Sequence, residues 1–142
     1  MTLSLTAPLP LVPDRSGLLR FGLKLDAVVS GAVGLLLLAG GAALAEPLGI
    51  PASLLWPVGL FFVGYAVTVW VIGTRQAINR PAAWAIVGLN LLWVVDSVAL
   101  VVLGGFPLTM LGVAFVLAQA VAVLVFAELQ YLGLRRARPA AA

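Results

Sequence analysis

The chain has no cysteine and no histidine, and only 9% of its 142 residues are charged. Without Cys there is no disulfide, no thiolate nucleophile and no sulfur-ligated metal. Without His the usual zinc and haem ligand and the commonest general base are missing. Sparse charge beside 63% hydrophobic residues and a mean hydropathy of +1.20 leaves too little polar surface for a fold solvated by water, so the composition is that of a membrane protein. Motifs that carry chemistry are lacking too: no Gly-rich phosphate loop, no G-x-S-x-G elbow, no H-E-x-x-H and no paired catalytic carboxylates. These absences set the expectation of no catalytic residue, no metal site, no cofactor and no enzyme activity.

What is present is four apolar runs, near residues 25–45, 55–75, 82–103 and 108–130. Each approaches the roughly 20 residues that a helix needs to cross a hydrocarbon core about 30 Å thick. The links are short, which forces successive helices to pack antiparallel. The expected fold is all-α, a polytopic four-transmembrane-helix up-and-down bundle forming a single membrane domain over residues 1–142. Glu46-Pro47 closes the first span and Pro57 opens the second, where a first helical turn does not need the missing N–H. Asn79-Arg80-Pro81 turns the chain into the third span, and Gly104-Gly105-Phe106-Pro107 reverses it before the fourth. Residues 1–14 contain Pro8, Pro10 and Pro13 and no positive n-region, which predicts an irregular arm rather than a signal peptide.

All eight Lys and Arg residues fall on one side of this pattern. Arg15, Arg20 and Lys24 precede the first span, Arg75 and Arg80 flank the middle link, and Arg135, Arg136 and Arg138 follow the fourth. Positive charge near span ends is retained in the cytoplasm. Both termini, the middle link and a basic tail at 131–142 are therefore expected inside, in a multi-pass protein of the bacterial inner membrane. The net charge of +3 and pI near 10.2 fit attraction to anionic headgroups and the lipid bilayer rather than nucleic acid, because no polar face or aromatic platform accompanies the basic residues.

Polar residues inside the apolar slab need a partner, a cavity or a proton. Asp96 lies beyond the middle of span three, too deep for its short side chain to reach water, and a carboxylate there costs about 2.5–3.5 kcal/mol on insertion scales. It either binds or relays a proton or cation, or hydrogen-bonds a neighbouring helix, with Gln119, Tyr65 and Thr68 at suitable depth and Asn90 a further polar position on its own span. Asp26 at the start of span one and Arg75 at the end of span two are expected to form an interfacial charge clasp, with Glu128 meeting Arg75, Arg80 or Arg135. At 100° per residue Asn90 and Ser97 share a face while Asp96 points about 120° away, and Gln119 and Glu128 face opposite sides of span four. A lone bundle struggles to bury all of these. Either a cavity or a further protein surface covers the remainder, which motivates a homo-oligomer or a membrane-protein partner.

Two patterns concern packing. Shifted by 64 positions, Leu25-Asp26 matches Leu89-Asn90 and Gly40-Gly41 matches Gly104-Gly105, consistent with either duplication or chance. Ala27-xxx-Gly31, Ser30-xxx-Gly34 and Gly64-xxx-Thr68 are small-residue pairs that let helix backbones approach closely. Trp56 and Tyr131 sit near opposite interfaces as anchors.

The segments LDAVVSGAVGL, NLLWVVDSVAL and AELQYLGLRR together resemble a type of small, uncharacterised bacterial four-helix integral membrane protein, over nearly the whole chain. The layout is also similar, in number of spans, to DoxX-like membrane proteins. The resemblance implies a fold and a location and carries no residue role. The expected function is a non-catalytic membrane scaffold or accessory subunit, self-associating or bound to a larger complex. The alternative is a small transporter or channel-like protein that uses Asp96.

Overall fold

The structure is a computed structural model that describes residues 16–137; the arm at 1–14, Arg15, Arg138 and the end of the tail lie outside the described residues. Four α-helices follow in order: α1 (Gly17–Leu48), α2 (Ala52–Thr74), α3 (Arg80–Leu103) and α4 (Met110–Arg136). All four are long and apolar enough to cross a membrane. No strand occurs among the described residues. The protein is thus an all-α four-helix bundle with the length and composition of a multi-pass membrane protein.

Helix boundaries follow local chemistry. Asn79 caps α3 by accepting from the Ala82 N–H at 3.1 Å, and Pro81 sits in the first turn, where its missing N–H costs nothing. Thr109 caps α4 in the same way, its Oγ1 accepting from the Gly112 N–H at 3.0 Å. Gly49 and Gly104 end α1 and α3 with φ of 71° and 66°, a left-handed conformation that side chains with a Cβ rarely adopt. The helices run beyond the spans that hydropathy marks. α1 begins eight residues before position 25 and continues through Glu46-Pro47, while α4 continues past 130 to Arg136. Hydropathy registers the apolar slab, whereas backbone hydrogen bonding continues into the interface. Pro57 lies inside α2 rather than at its opening, because Pro51 occupies the N-cap.

Two arginines tie the basic end of the bundle together, and they do so through carbonyls. Arg20 donates to the Gly73 carbonyl at 3.1 Å and to those of Arg75 and Gln76, covering the C-terminus of α2. Arg80 donates to the Leu134 and Ala137 carbonyls at 3.1 and 3.0 Å, covering the C-terminus of α4. A helix leaves its last carbonyls unpaired and partly negative, so a guanidinium placed there satisfies acceptors and opposes the helix dipole. At the other end, the Thr109 hydroxyl and N–H donate to the Pro47 and Leu48 carbonyls, joining α4 to the end of α1.

The spatial order is α2, α1, α4, α3, with α1 at the centre of the tightest contacts. Glycine permits them. A Cβ on Gly34 would come within 2.9 Å of the Gly59 carbonyl oxygen and of Phe62 Cβ, which fixes α1 against α2. A Cβ on Gly133 would meet the Leu19 backbone at 2.6 Å, which fixes α4 against α1. The Ser30-xxx-Gly34 and Ala27-xxx-Gly31 patterns therefore serve packing within the chain, Gly31 lying against Ala66. Gly64-xxx-Thr68 does not: a Cβ on Gly64 would meet nothing within 4 Å, because the backbones of α2 and α3 stand apart.

Gly34→Leu is expected to lower unfolding stability in mixed detergent by about 1–3 kcal/mol through overpacking, while Gly88→Ala, placed where a Cβ meets open space, stays within about 0.5 kcal/mol of the parent. Equal effects of the two substitutions would contradict a close α1–α2 seam.

Candidate functional site

Of the polar residues that the bundle buries, Ser30, Asn90 and Gln130 converge on one acid, while Ser97 bonds back to the Trp93 carbonyl at 2.7 Å. Asp26 is 0% exposed, and so is Gln130; Asn90 and Ser30 are each 4% exposed. Asp26 Oδ1 accepts from the Ser30 hydroxyl at 2.9 Å, one helical turn along α1. Asp26 Oδ2 accepts from the Tyr65 hydroxyl at 2.7 Å, from Asn90 Nδ2 at 2.9 Å and from Gln130 Nε2 at 2.8 Å. Asn90 Nδ2 also donates to Gln130 Oε1 at 3.0 Å. Every helix thus contributes a side chain: Asp26 and Ser30 from α1, Tyr65 from α2, Asn90 from α3 and Gln130 from α4. At 1.5 Å per residue the cluster lies about 9–20 Å inside the helix ends that carry the basic residues.

The hydrogen inventory is tight. The Tyr65 oxygen is 2.7 Å from Asp26 Oδ2 and 2.6 Å from Asn90 Oδ1, yet a phenol carries one hydrogen and donates to one of them at a time. Next to the cluster a chamber of about 10 Å³ lies between Ser30, Tyr65, Asn90 and Trp93, at most the room of a single water. The cluster is a sealed polar core. Phe61 closes it on the side away from the basic helix ends, stacking on Tyr65 at 6.1 Å and on Trp93 at 6.2 Å between ring centroids.

Of the residues expected to form an intramembrane site around Asp96, only Tyr65 and Asn90 meet, and they meet Asp26 instead. Asp96 is exposed on the outer surface of α3 and makes no hydrogen bond or ion pair among the described residues. Helical phase explains this: Asn90 and Ser97 turn inward on α3, at 4% and 7% exposure, and Asp96 lies about 120° away from Asn90. Gln119 is half-buried beside Ser97 and Trp93 in a separate cavity of about 90 Å³. Thr68 turns its hydroxyl back to the Gly64 carbonyl at 2.9 Å. The expected charge clasp between Asp26, Arg75 and Glu128 does not form. Asp26 lies in the interior, Glu128 is exposed on α4 without a partner among the described residues, and the clasping is done by Arg20 and Arg80 on carbonyls.

Two members of the cluster were not anticipated. Ser30 reads as a small packing residue, although its spacing of four from Asp26 marks a shared face. Gln130 falls at the edge of the fourth apolar run and reads as interfacial, but α4 continues beyond it. One signal did point to the cluster. Asp26 and Asn90, the pair matched by the shift of 64, hydrogen-bond to each other.

Among the described residues no group of three or more His, Cys, Asp or Glu is placed to hold a metal ion. No family model, curated protein or solved structure matches this chain. The similarity to DoxX-like proteins therefore rests on the number of spans.

Asp26→Leu leaves the Tyr65, Asn90 and Gln130 donors without their shared acceptor and is expected to cost about 2–4 kcal/mol of unfolding stability in detergent. Asp26→Asn, which keeps an oxygen for those donors and offers its amide to the Ser30 oxygen, is expected to cost less than half as much. If Asp96→Leu proved as destabilising as Asp26→Leu, the cluster would not be the polar core.

Proposed function

We propose that this protein is a non-catalytic integral membrane scaffold or accessory subunit, self-associating or seated beside a larger membrane complex. The observation that carries this reading is Asp96, an acid in the half of α3 away from the basic helix ends that turns away from the bundle and has no partner among the described residues. A carboxyl facing hydrocarbon is costly, and a donor on an adjoining protein surface removes that cost. Apolar side chains on the same outer surfaces, including Leu92, Val95 and Val102 on α3 and Leu117 and Val121 on α4, offer the packing area around it. The polar cluster supports the same reading, because its groups bond to one another inside a nearly filled core rather than lining a wet passage. Transport through Asp96 is the rival that the test separates.

We further propose that the chain lies in a bacterial inner membrane with both termini inside. This rests on the one-sided placement of the basic residues, since neither hydropathy nor packing distinguishes the two faces of a membrane. Because the chain has no Cys, single cysteines report topology directly. Gly105→Cys is expected to react with a membrane-impermeant maleimide on intact cells and Ala77→Cys only after permeabilisation; the reverse pattern would invert the orientation.

For assembly, the wild-type protein extracted in mild detergent is expected to run as a species larger than the 14.7 kDa chain. Asp96→Leu is expected to reduce it to the monomer without loss of thermal stability. A wild-type monomer that also crosslinks to nothing in native membranes would overturn the scaffold reading, and lost proton or solute flux with intact assembly in Asp96→Asn would favour transport.

A further inference from the structure

The separation of α2 from α3 leaves a lateral cleft of about 820 Å³, a size typical of small-ligand pockets. Its walls are apolar, with Leu60, Phe61 and Ile72 from α2 facing Ile86 and Leu89 from α3, and Tyr65 lines it as well. Gly64, Ala82 and Ala85 keep it wide, and a Cβ on Gly64 would still meet open space. At the basic end the cleft continues through Thr68, Ile72 and Ala82 into a second, more polar cavity of about 480 Å³ that Arg75 and Asn79 line.

Arg75 is placed differently from its basic neighbours there. The guanidinium groups of Arg20 and Arg80 are engaged by helix-end carbonyls. The Arg75 carbonyl accepts from Arg20, which holds its backbone in position, while its side chain is exposed and has no partner among the described residues. An apolar cleft thus ends on a cation at the helix terminus, where headgroup phosphates lie. The depth also matches. Ten residues separate Arg75 from Tyr65, about 15 Å along the helix, or half of a hydrocarbon core about 30 Å thick.

We propose that the α2–α3 cleft is a binding site for one anionic glycerophospholipid, with an acyl chain along Ile72, Tyr65 and Leu89 and the phosphate at Arg75. The bidentate fork of a guanidinium suits phosphate oxygens. The width of the groove suits a lipid chain better than a fifth transmembrane helix. A helix about 10–12 Å across can seat only one face against this open groove, whereas a slender apolar lipid chain can enter it along its length. The site is separate from the outer surface at Asp96 and goes beyond the scaffold reading.

The test is native mass spectrometry of the full chain in mild detergent with equal amounts of dioleoyl-phosphatidylglycerol and dioleoyl-phosphatidylcholine. The wild-type protein is expected to retain one lipid, with phosphatidylglycerol favoured about fivefold, as one basic group at the membrane surface provides. Arg75→Gln is expected to retain a lipid and lose the preference. Gly64→Leu, which fills the cleft, is expected to lose both lipids while keeping the helical signal of the parent. Equal retention of the two lipids by wild type, or unchanged adducts in Gly64→Leu, would overturn the proposal. So would a Gly64→Leu variant that loses an oligomer rather than a lipid, since the cleft would then seat a second copy of the chain. Arg75 lies outside the apolar slab, so its variant reads the headgroup contact even if Gly64→Leu fails to fold.

Discussion

The bundle is organised around a carboxyl group with nowhere else to go. Inside an apolar slab Asp26 cannot be solvated by water, and each donor that reaches it comes from a different part of the chain: Ser30 from its own helix, Tyr65 from α2, Asn90 from α3 and Gln130 from α4. Association of apolar helices in lipid lacks the usual hydrophobic drive, so packing and interhelical hydrogen bonds decide register and rotation. A rotation of any one helix by a quarter turn would break its bond to Asp26 and leave a polar group facing hydrocarbon. The cluster thereby sets helix orientation more strictly than the surrounding Leu and Val side chains, which can exchange partners at little cost.

Contact between helices is uneven around this centre. Gly34 lets α2 lie against α1, and Gly133 lets α4 lie against α1, while the pairing of α2 with α3 relies on Tyr65 bonding to Asn90 and on Phe61 stacking against Trp93. The positions matched by the internal repeat therefore meet at Asp26 and Asn90 without producing two equivalent halves: α1 packs on α4, but α2 does not pack on α3 in the corresponding way. The cleft is the consequence of that broken equivalence. It leaves the interior sealed by Tyr65 on one side and presents an apolar channel, ending at Arg75, on the other. Asp96 lies outside both, and we assign Asp26 and Asp96 opposite roles: Asp26 holds the chain together and Asp96 engages what lies next to it.

Much of this was legible in the sequence. Runs of apolar residues mark four helices, Asn79-Arg80-Pro81 and Gly104-Gly105 mark turns, and the 100° rotation per residue separates Asp96 from Asn90 and Ser97. The centre of the polar site was not. Asp26 beside a basic flank resembles an interfacial residue, yet α1 starts early enough to carry it inside; Gln130 resembles a span end, yet α4 runs on to Arg136. Asp96, the acid furthest from the ends of its apolar run, is exposed on the outside of the bundle, as Glu46 and Glu128 are on their helices.

The sequence by itself determined class, number of helices, the approximate depth of each residue and the clustering of basic groups at one end, because depth follows from position along an apolar run and each run is read independently of the others. Only the tertiary structure decided which polar groups face inward and which helices stand apart. Helices that are apolar on nearly every face carry little signal about their own rotation. That rotation is settled where helices meet, by whether a Gly admits a neighbouring backbone and whether a donor reaches Asp26, and neither is a property of any single segment.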